Sequence, residues 1–144
     1  MNNYRKSETY IFYAWLIALI ATLAAIFIGE IMGQMPCQLC WYQRIAMFPL
    51  AIILGTASFN KDSNIVFHAL PIALVGVGIA AWHSLLYAGI VPEPIRPCSQ
   101  TGPSCLGEGQ TIFGFLSLPY LSLFAFTIIT ICLVMSLKWR KNNE

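Results

Sequence analysis

The stretch MPCQLCWYQR, residues 35–44, places Cys37 and Cys40 three positions apart and follows them with Arg44. A Cys-x-x-Cys pair serves thiol–disulfide exchange, a structural disulfide or, with further ligands, zinc binding. Cys40 is expected at the start of a helix, where the positive helix terminus stabilises a thiolate. Arg44 would then lie one turn deeper on the same face as a permanent cation. This pattern favours redox chemistry.

A second pair, Cys98 and Cys105, is separated by six residues in a segment rich in proline and glycine. A disulfide closing so short a ring gains less than the ~3 kcal/mol estimated for a 15-residue loop, and strained or exposed disulfides exchange readily. Four cysteines could bind zinc, but no histidine lies near them in this segment, so we predict no metal site. Cys132 lies within an apolar run and is interpreted as a small core residue.

The elements that hold these cysteines are strongly apolar. The chain is 58% hydrophobic and 10% charged, against about 25% charged in a soluble domain. Its net charge of +2 gives no argument for a nucleic-acid partner. Four apolar runs approach the roughly 20 residues that a helix needs to cross a membrane. We therefore predict an all-α integral membrane protein, a single four-transmembrane-helix bundle over residues 1–144. The helices are expected at about 9–32, 41–59, 65–90 and 112–137, with outer loops at about 33–40 and 91–111.

The first apolar run resembles a signal peptide in its basic start, but it is longer than the usual 7–15 residues and has no small-residue cleavage site. We expect it to be retained. Six basic residues lie on one side of such a bundle: Arg5, Lys6, Lys61, Lys138, Arg140 and Lys141. Because lysine and arginine favour the cytoplasmic side, both termini are predicted to be cytoplasmic. The two cysteine pairs then lie on the extracytoplasmic side of a bacterial plasma membrane, where disulfides persist.

Several features together resemble the disulfide bond formation protein B (DsbB) family: PCQLCWYQR, the four spans, the second cysteine pair in the last outer loop, and GFLSLPYLSLFAF near the fourth helix. The resemblance covers essentially the whole chain and is greatest to the BdbC branch known from Gram-positive bacteria. It implies a membrane oxidoreductase that reoxidises a thioredoxin-fold dithiol oxidase (DsbA-like) and passes the electrons to a membrane quinone, ubiquinone or menaquinone. Such an enzyme supports disulfide formation in extracytoplasmic proteins.

The resemblance also implies an order for the four cysteines. The partner attacks Cys98, Cys105 then attacks Cys37, and the released Cys40 thiolate passes electrons to the quinone. The family's best-known members have a much longer segment within the second pair than the six residues present here. The order of the relay, the resting disulfide pairing and the docking surface of the partner therefore stay open.

Two further residues correspond to the family's quinone site. Arg44 matches an arginine that would polarise a quinone oxygen. His83, in WHSLLY, occupies a place similar to that of a histidine near the site. The resemblance thus implies quinone binding by Cys40, Arg44 and His83.

Two other functions stay in view. A quinone reductase resembling vitamin K epoxide reductase also uses two cysteine pairs, but that family places its Cys-x-x-Cys late in the chain. A non-enzymatic membrane subunit stapled by disulfides would explain the cysteines and leave Arg44 unexplained. The order of the motifs favours the DsbB-like function.

Overall fold

The computed structural model of the chain describes residues 2–90, 111–112 and 116–141, most of which are helical. The helices are α1 (Asn2–Ile26), which continues as a π-helix (Phe27–Ile31), α2 (Gln38–Asn60), a short 3-10 helix (Ser63–Ile65), α3 (Val66–Tyr87) and α4 (Leu118–Lys141). Four of these segments are long and apolar enough to span a membrane. The predicted class, a four-helix membrane protein, is confirmed.

Three helices begin at other positions than the sequence predicts, and the first of them, α1, begins at Asn2 rather than near residue 9. The fourth begins at Leu118 rather than near residue 112, because β1 (Thr111–Ile112) pairs antiparallel with β2 (Leu116–Ser117). Pro119 lies in the first turn of α4, where its missing N–H costs no helical hydrogen bond. The second helix begins at Gln38 rather than 41, and this difference decides which cysteine lies at its terminus.

Each long helix packs against two others, since α1 and α3 both contact α2 and α4. Small residues permit these contacts, as is usual between membrane helices. The ring of Phe126 on α4 lies directly against Gly76 on α3, where a side chain would collide with it. The Trp15 indole on α1 similarly covers Gly55 on α2. Both crossings therefore depend on glycine.

Hydrogen bonds at one end of the bundle join the start of α1 to its neighbours. Ser7 and Ser136 are both buried, and their hydroxyl groups are 2.8 Å apart. The Tyr4 hydroxyl donates to the carbonyl of Lys61 at 2.9 Å, and Lys61 itself ends α2 in the left-handed conformation (φ 53°). The start of α1, the end of α4 and the α2–α3 turn thus share one end, and Cys37 lies at the other. That the first end is cytoplasmic stays a prediction.

Candidate active site

Cys37 is the N-cap residue of α2. Its backbone is extended (φ −69°, ψ 169°), and its Sγ accepts a hydrogen bond from the backbone N–H of Cys40 at 3.2 Å. The first N–H groups of a helix have no partner within the helix, and a side chain at the N-cap satisfies one of them. The sequence pattern predicts helix-terminal stabilisation of Cys40. Because α2 begins at Gln38, Cys37 receives this hydrogen bond instead.

The two sulfur atoms of the pair are 2.7 Å apart, which is longer than the ~2.05 Å of a disulfide bond. Cys37 is completely buried and Cys40 is partly buried. A hydrogen bond from the Cys40 thiol is the largest effect on Cys37, and with smaller contributions from His83 and the Cys40 N–H it outweighs burial. The pKa of Cys37 is lowered from 9.0 to about 5. Cys37 is therefore a thiolate, the nucleophilic form of cysteine, at neutral pH.

A histidine and a glutamine approach the pair from two helices. His83 on α3 is completely buried, and its Nε2 lies 3.7 Å from the Sγ of Cys37. Its other ring nitrogen, Nδ1, lies 3.2 Å from Nε2 of Gln43, which is also buried. Gln43, His83 and Cys37 thus form a continuous chain of polar contacts in an apolar environment.

Arg44 extends from α2 towards the end of α1. Its Nη2 donates to the carbonyl oxygen of Ala25 at 2.8 Å, just before the α-helix gives way to the π-helix. The guanidinium packs on Gly29, since a Cβ at that position would lie 2.8 Å from Nη2. It also lies 5.5 Å from the centre of the Trp41 ring. A π-helical turn is frequent at functional sites, and here it and Gly29 provide the space that holds Arg44.

A cavity of about 190 Å³ lies between α1, α2 and α4, next to Cys40 and Arg44. Apolar residues form most of its wall: Ala21, Ala24, Ala25, Ile28, Met35, Met47, Phe48, Leu118, Leu121, Ala125 and Phe126. The polar residues at its wall are Gln34, Cys40, Gln43, Arg44 and Ser122. The Oε1 of Gln34 is buried without a hydrogen-bond partner. The cavity is thus an apolar chamber with a few polar groups, as is typical of a small-molecule site.

The structure brings four of the predicted site residues to one end of the bundle: Cys37, Cys40, Arg44 and His83. Cys40 and Arg44 border the cavity, whereas the described contacts of His83 are with Cys37 and Gln43. The other predicted pair, Cys98 and Cys105, lies outside the described residues. Direct quinone binding by His83 stays a prediction.

Gln43 and Gly29 are not among the site residues predicted from the sequence. One available signal was the polar side chain of Gln43 within an otherwise apolar segment, since polar groups inside a membrane helix are usually paired or functional. For Gly29 there was no such signal, because its importance depends on where Arg44 lies.

The pair and His83 also form a set of donors that suits a metal ion. Among the described residues, the sulfur atoms of Cys37 and Cys40 and one ring nitrogen of His83 all lie within 4.8 Å of one another. Two thiolates and an imidazole are ligands that zinc prefers. The prediction that the chain has no metal site therefore stays a prediction.

The chain matches the family model described as "Disulfide bond formation protein DsbB" over residues 7–136. The chain belongs to the DsbB family. Its resemblance to this family, predicted from PCQLCWYQR and the four spans, is confirmed. Membership makes the chain a membrane protein of disulfide formation, a disulfide-forming oxidoreductase, and favours this function over that of a vitamin K epoxide reductase-like enzyme.

Relatives in the DsbB family cover nearly the whole chain. A "Probable disulfide formation protein" of Metapseudomonas resinovorans is 55% identical over 121 residues, which are 84% of each chain. The "Disulfide bond formation protein C" of Bacillus subtilis (strain 168) is 40% identical over 93% of this chain and 96% of its own length. The "Probable disulfide formation protein C 1" of Bacillus anthracis is 36% identical over 96% and 99%, respectively. No solved structure matches the chain.

Proposed function

We propose that the chain is a protein dithiol:quinone oxidoreductase. It takes two electrons from a reduced thioredoxin-fold oxidase of the DsbA type and passes them to a membrane quinone, ubiquinone or menaquinone. The observation that carries this proposal is the apolar cavity with Cys40 and Arg44 at its wall. A thiol that can be oxidised and a cation that can bind a carbonyl oxygen thus border the same chamber.

The size and polarity of the cavity suit the ring of a quinone. A cavity of roughly 150 Å³ holds a benzene molecule, so about 190 Å³ would accommodate one substituted ring. A quinone ring also needs polar partners at its two oxygens. Arg44 supplies donors, and the unpartnered Oε1 of Gln34 supplies an acceptor for the hydroxyl of the reduced form.

The guanidinium of Arg44 is oriented for a hydrogen bond to a quinone oxygen in the cavity. An arginine has five N–H donors, and the contact with Ala25 occupies Nη2 while it fixes the direction of the group. The other donors are available to an oxygen in the cavity, next to Cys40. When bound, a quinone supplies an acceptor for two electrons and two protons. The pair Cys37–Cys40 releases the two electrons and the proton of Cys40 on forming its disulfide, and the second proton comes from solvent.

The outer pair connects this site to the protein partner. The partner's dithiol reduces Cys98–Cys105, and a thiolate so released attacks Cys37 of the inner disulfide and displaces Cys40. Each exchange breaks one disulfide and forms another, so no oxidant is required until electrons leave Cys40. When the second outer thiolate attacks the outer sulfur of the mixed disulfide with Cys37, the outer disulfide forms again and Cys37 departs, and its lowered pKa makes it a good leaving group in this step.

The same function places the site end of the bundle outside a bacterial plasma membrane and the termini inside. Basic side chains support this orientation, since Lys6, Lys61 and Arg140 all lie at the end that holds Ser7 and Ser136. Lysine and arginine favour the cytoplasmic side of a membrane. The thiols then lie where disulfides form and persist.

The test measures quinone reduction by ultraviolet absorbance, with the purified protein in detergent and a reduced thioredoxin-fold oxidase as donor. Ubiquinone and menaquinone analogues are compared. Cys40→Ser and Cys98→Ser should abolish turnover. Arg44→Ala should lower kcat/KM for quinone by about 10- to 100-fold, the equivalent of one hydrogen bond to a charged group, ~1.5–3 kcal/mol. The control is Arg5→Ala, since Arg5 is exposed at the opposite end.

Two results would refute the proposal. One is no turnover with either quinone while the thiols remain in disulfides that the partner does not reduce, as expected of a stapled subunit. The other is quinone reduction that persists at the wild-type rate in Cys40→Ser. Unchanged kinetics in Arg44→Ala would remove Arg44 from the quinone site.

A further inference from the structure

The direction of the hydrogen bond between Gln43 and His83 determines which ring nitrogen of His83 carries the proton, and so whether His83 can donate to Cys37. The amide nitrogen of Gln43 faces Nδ1 of His83 at 3.2 Å. An amide nitrogen is only a donor, so Nδ1 must be the acceptor and the single proton of the neutral ring must lie on Nε2. Nε2 is the atom that lies 3.7 Å from the Cys37 sulfur. It is therefore a donor to that sulfur.

We infer that Gln43 is a positioning residue that fixes the tautomer of His83, so that His83 stabilises the thiolate of Cys37 and not a group in the quinone cavity. This inference rests on the proposed function, in which Cys37 is attacked by an outer thiolate, leaves the mixed disulfide as a thiolate and forms the inner disulfide with Cys40 again. The two residues thus have different roles: His83 donates a hydrogen bond to Cys37, whereas Arg44 provides donors to the cavity next to Cys40.

Burial gives this contact its strength. His83 and Cys37 are both completely buried, and Gln43 is 8% exposed, so water does not compete for their polar atoms. A hydrogen bond to a charged group in such surroundings is stronger than a neutral one. The ionisable groups that act on Cys37 in the described part of the chain are Cys40 and His83. Three donors, the thiol and the N–H of Cys40 on α2 and Nε2 of His83 on α3, thus converge on one sulfur.

The hydrogen bond from His83 acts in the step in which Cys37 and Cys40 form their disulfide again. Cys37 and Cys40 then form an S–S bond and give two electrons to the quinone of the proposed function. Because Cys37 is already a thiolate, the pair releases only the proton of Cys40, and the second proton of the quinol comes from solvent. Cys37 must be a thiolate to attack the sulfur of Cys40 and form this bond. The His83 N–H keeps it in that form without itself gaining or losing a proton.

The ring nitrogens of His83 can be observed directly. The chain has two histidines, so ¹⁵N-histidine labelling of the reduced protein in detergent gives two ring systems, which His68→Gln assigns. Wild-type His83 should carry its proton on Nε2. In Gln43→Glu the carboxylate is an acceptor of similar size, and it should bring a proton to Nδ1. The ring of His68, which is exposed, should not change and is the internal reference.

The reactivity of Cys37 provides the second measurement. The reduced full-length protein is treated briefly with iodoacetamide over a range of pH, and mass spectrometry locates the label on Cys37 or Cys40. In Gln43→Leu the pH of half-maximal labelling of Cys37 should rise by about one unit from its wild-type value near 5, so labelling should slow nearly tenfold at about pH 4 and only about twofold at about pH 6. Gln38→Leu is the matched control, because Gln38 lies on the same helix and is exposed.

Either of two outcomes would overturn the inference: His83 protonated on Nδ1 in the wild type, or the same tautomer in wild type and Gln43→Glu. Wild-type labelling of Cys37 in Gln43→Leu would also contradict it. If Gln43→Leu fails to fold, the near-isosteric Gln43→Glu still decides the question. Neither measurement uses quinone or a protein partner, so a chain that reduces no quinone would refute the proposed function and leave these results to be judged separately.

Discussion

Gly29→Ala is expected to weaken the use of quinone without unfolding the protein. A Cβ at this position would lie 2.8 Å from Nη2 and 3.2 Å from Nη1 of Arg44. Ordinary contact begins at about 3.5 Å, so the guanidinium must move away by several tenths of an ångström or more. The 2.8 Å hydrogen bond to Ala25 is then lost or lengthened, and the donors that face the cavity turn with it.

The expected changes in stability and in kcat/KM follow from the fact that only the guanidinium of Arg44 has to move. The colliding atoms are at the end of a flexible side chain, so the helices need not separate, and alanine is favoured over glycine within a helix by about 1 kcal/mol. Thermal stability should therefore change little. Loss of one oriented hydrogen bond to a charged group costs ~1.5–3 kcal/mol. Since the displaced arginine retains other donors, we expect the lower limit, about a tenfold fall in kcat/KM for quinone.

The assay is steady-state quinone reduction with the partner's dithiol in excess, together with thermal unfolding of each variant. Gly78→Ala is the control, because a Cβ there meets no atom within 4 Å. In an Arg44→Ala background the Gly29 substitution should have no further effect, as a double-mutant cycle reports coupling between contacting residues. Wild-type quinone kinetics in Gly29→Ala, or an equal loss in both backgrounds, would refute the reasoning.

Three further predictions concern packing, ionisation and topology. Gly76→Ala should lower the stability by about 1–3 kcal/mol through overpacking, measured as a reduced unfolding midpoint, whereas Gly78→Ala should not. Labelling of Cys37 by iodoacetamide should be half-maximal near pH 5 and lost below it, because the lowered pKa keeps the reactive thiolate populated above that pH; a midpoint near 9 would contradict this. In cells, with the native cysteines replaced by serine, Gln38→Cys should react with a membrane-impermeant maleimide and Asn60→Cys should not; the reverse pattern would invert the topology.

The sequence was sufficient for those parts of the fold that depend on local composition. Four long apolar runs predicted four spanning helices. The spacing of Cys40 and Arg44 predicted that they lie on one face, and both line the cavity; that this cavity is a quinone site stays a prediction. The contact of His83 with Cys37 could not be predicted in this way. It depends on how α2 and α3 are rotated, and a membrane helix that is apolar on all sides carries little periodicity to indicate the buried face.

Local details at the element ends were also beyond the sequence patterns. The helix α2 begins at Gln38 rather than at the predicted residue 41, because the Cys37 sulfur caps it. This capping role is usually filled by serine or aspartate. The π-helix after Ile26 stabilises the position of a side chain from another helix. Arg44 packs against Gly29 within it, a tertiary contact that no propensity in FIGEI indicates.

Phe126 has two contacts that tie the shape of the cavity to the integrity of the bundle. Its ring forms part of the cavity wall and also fills the space left by Gly76 at the α3–α4 crossing. A smaller residue there would deepen the chamber only by loosening two helices. If the cavity binds the quinone of the proposed function, a change in ring size is expected to require changes at Ala21, Ala24 and Ala25 on α1, where side-chain size can change without disturbing that crossing. Evolution of acceptor preference in this bundle would thus proceed from one helix, while the opposite wall stays constrained.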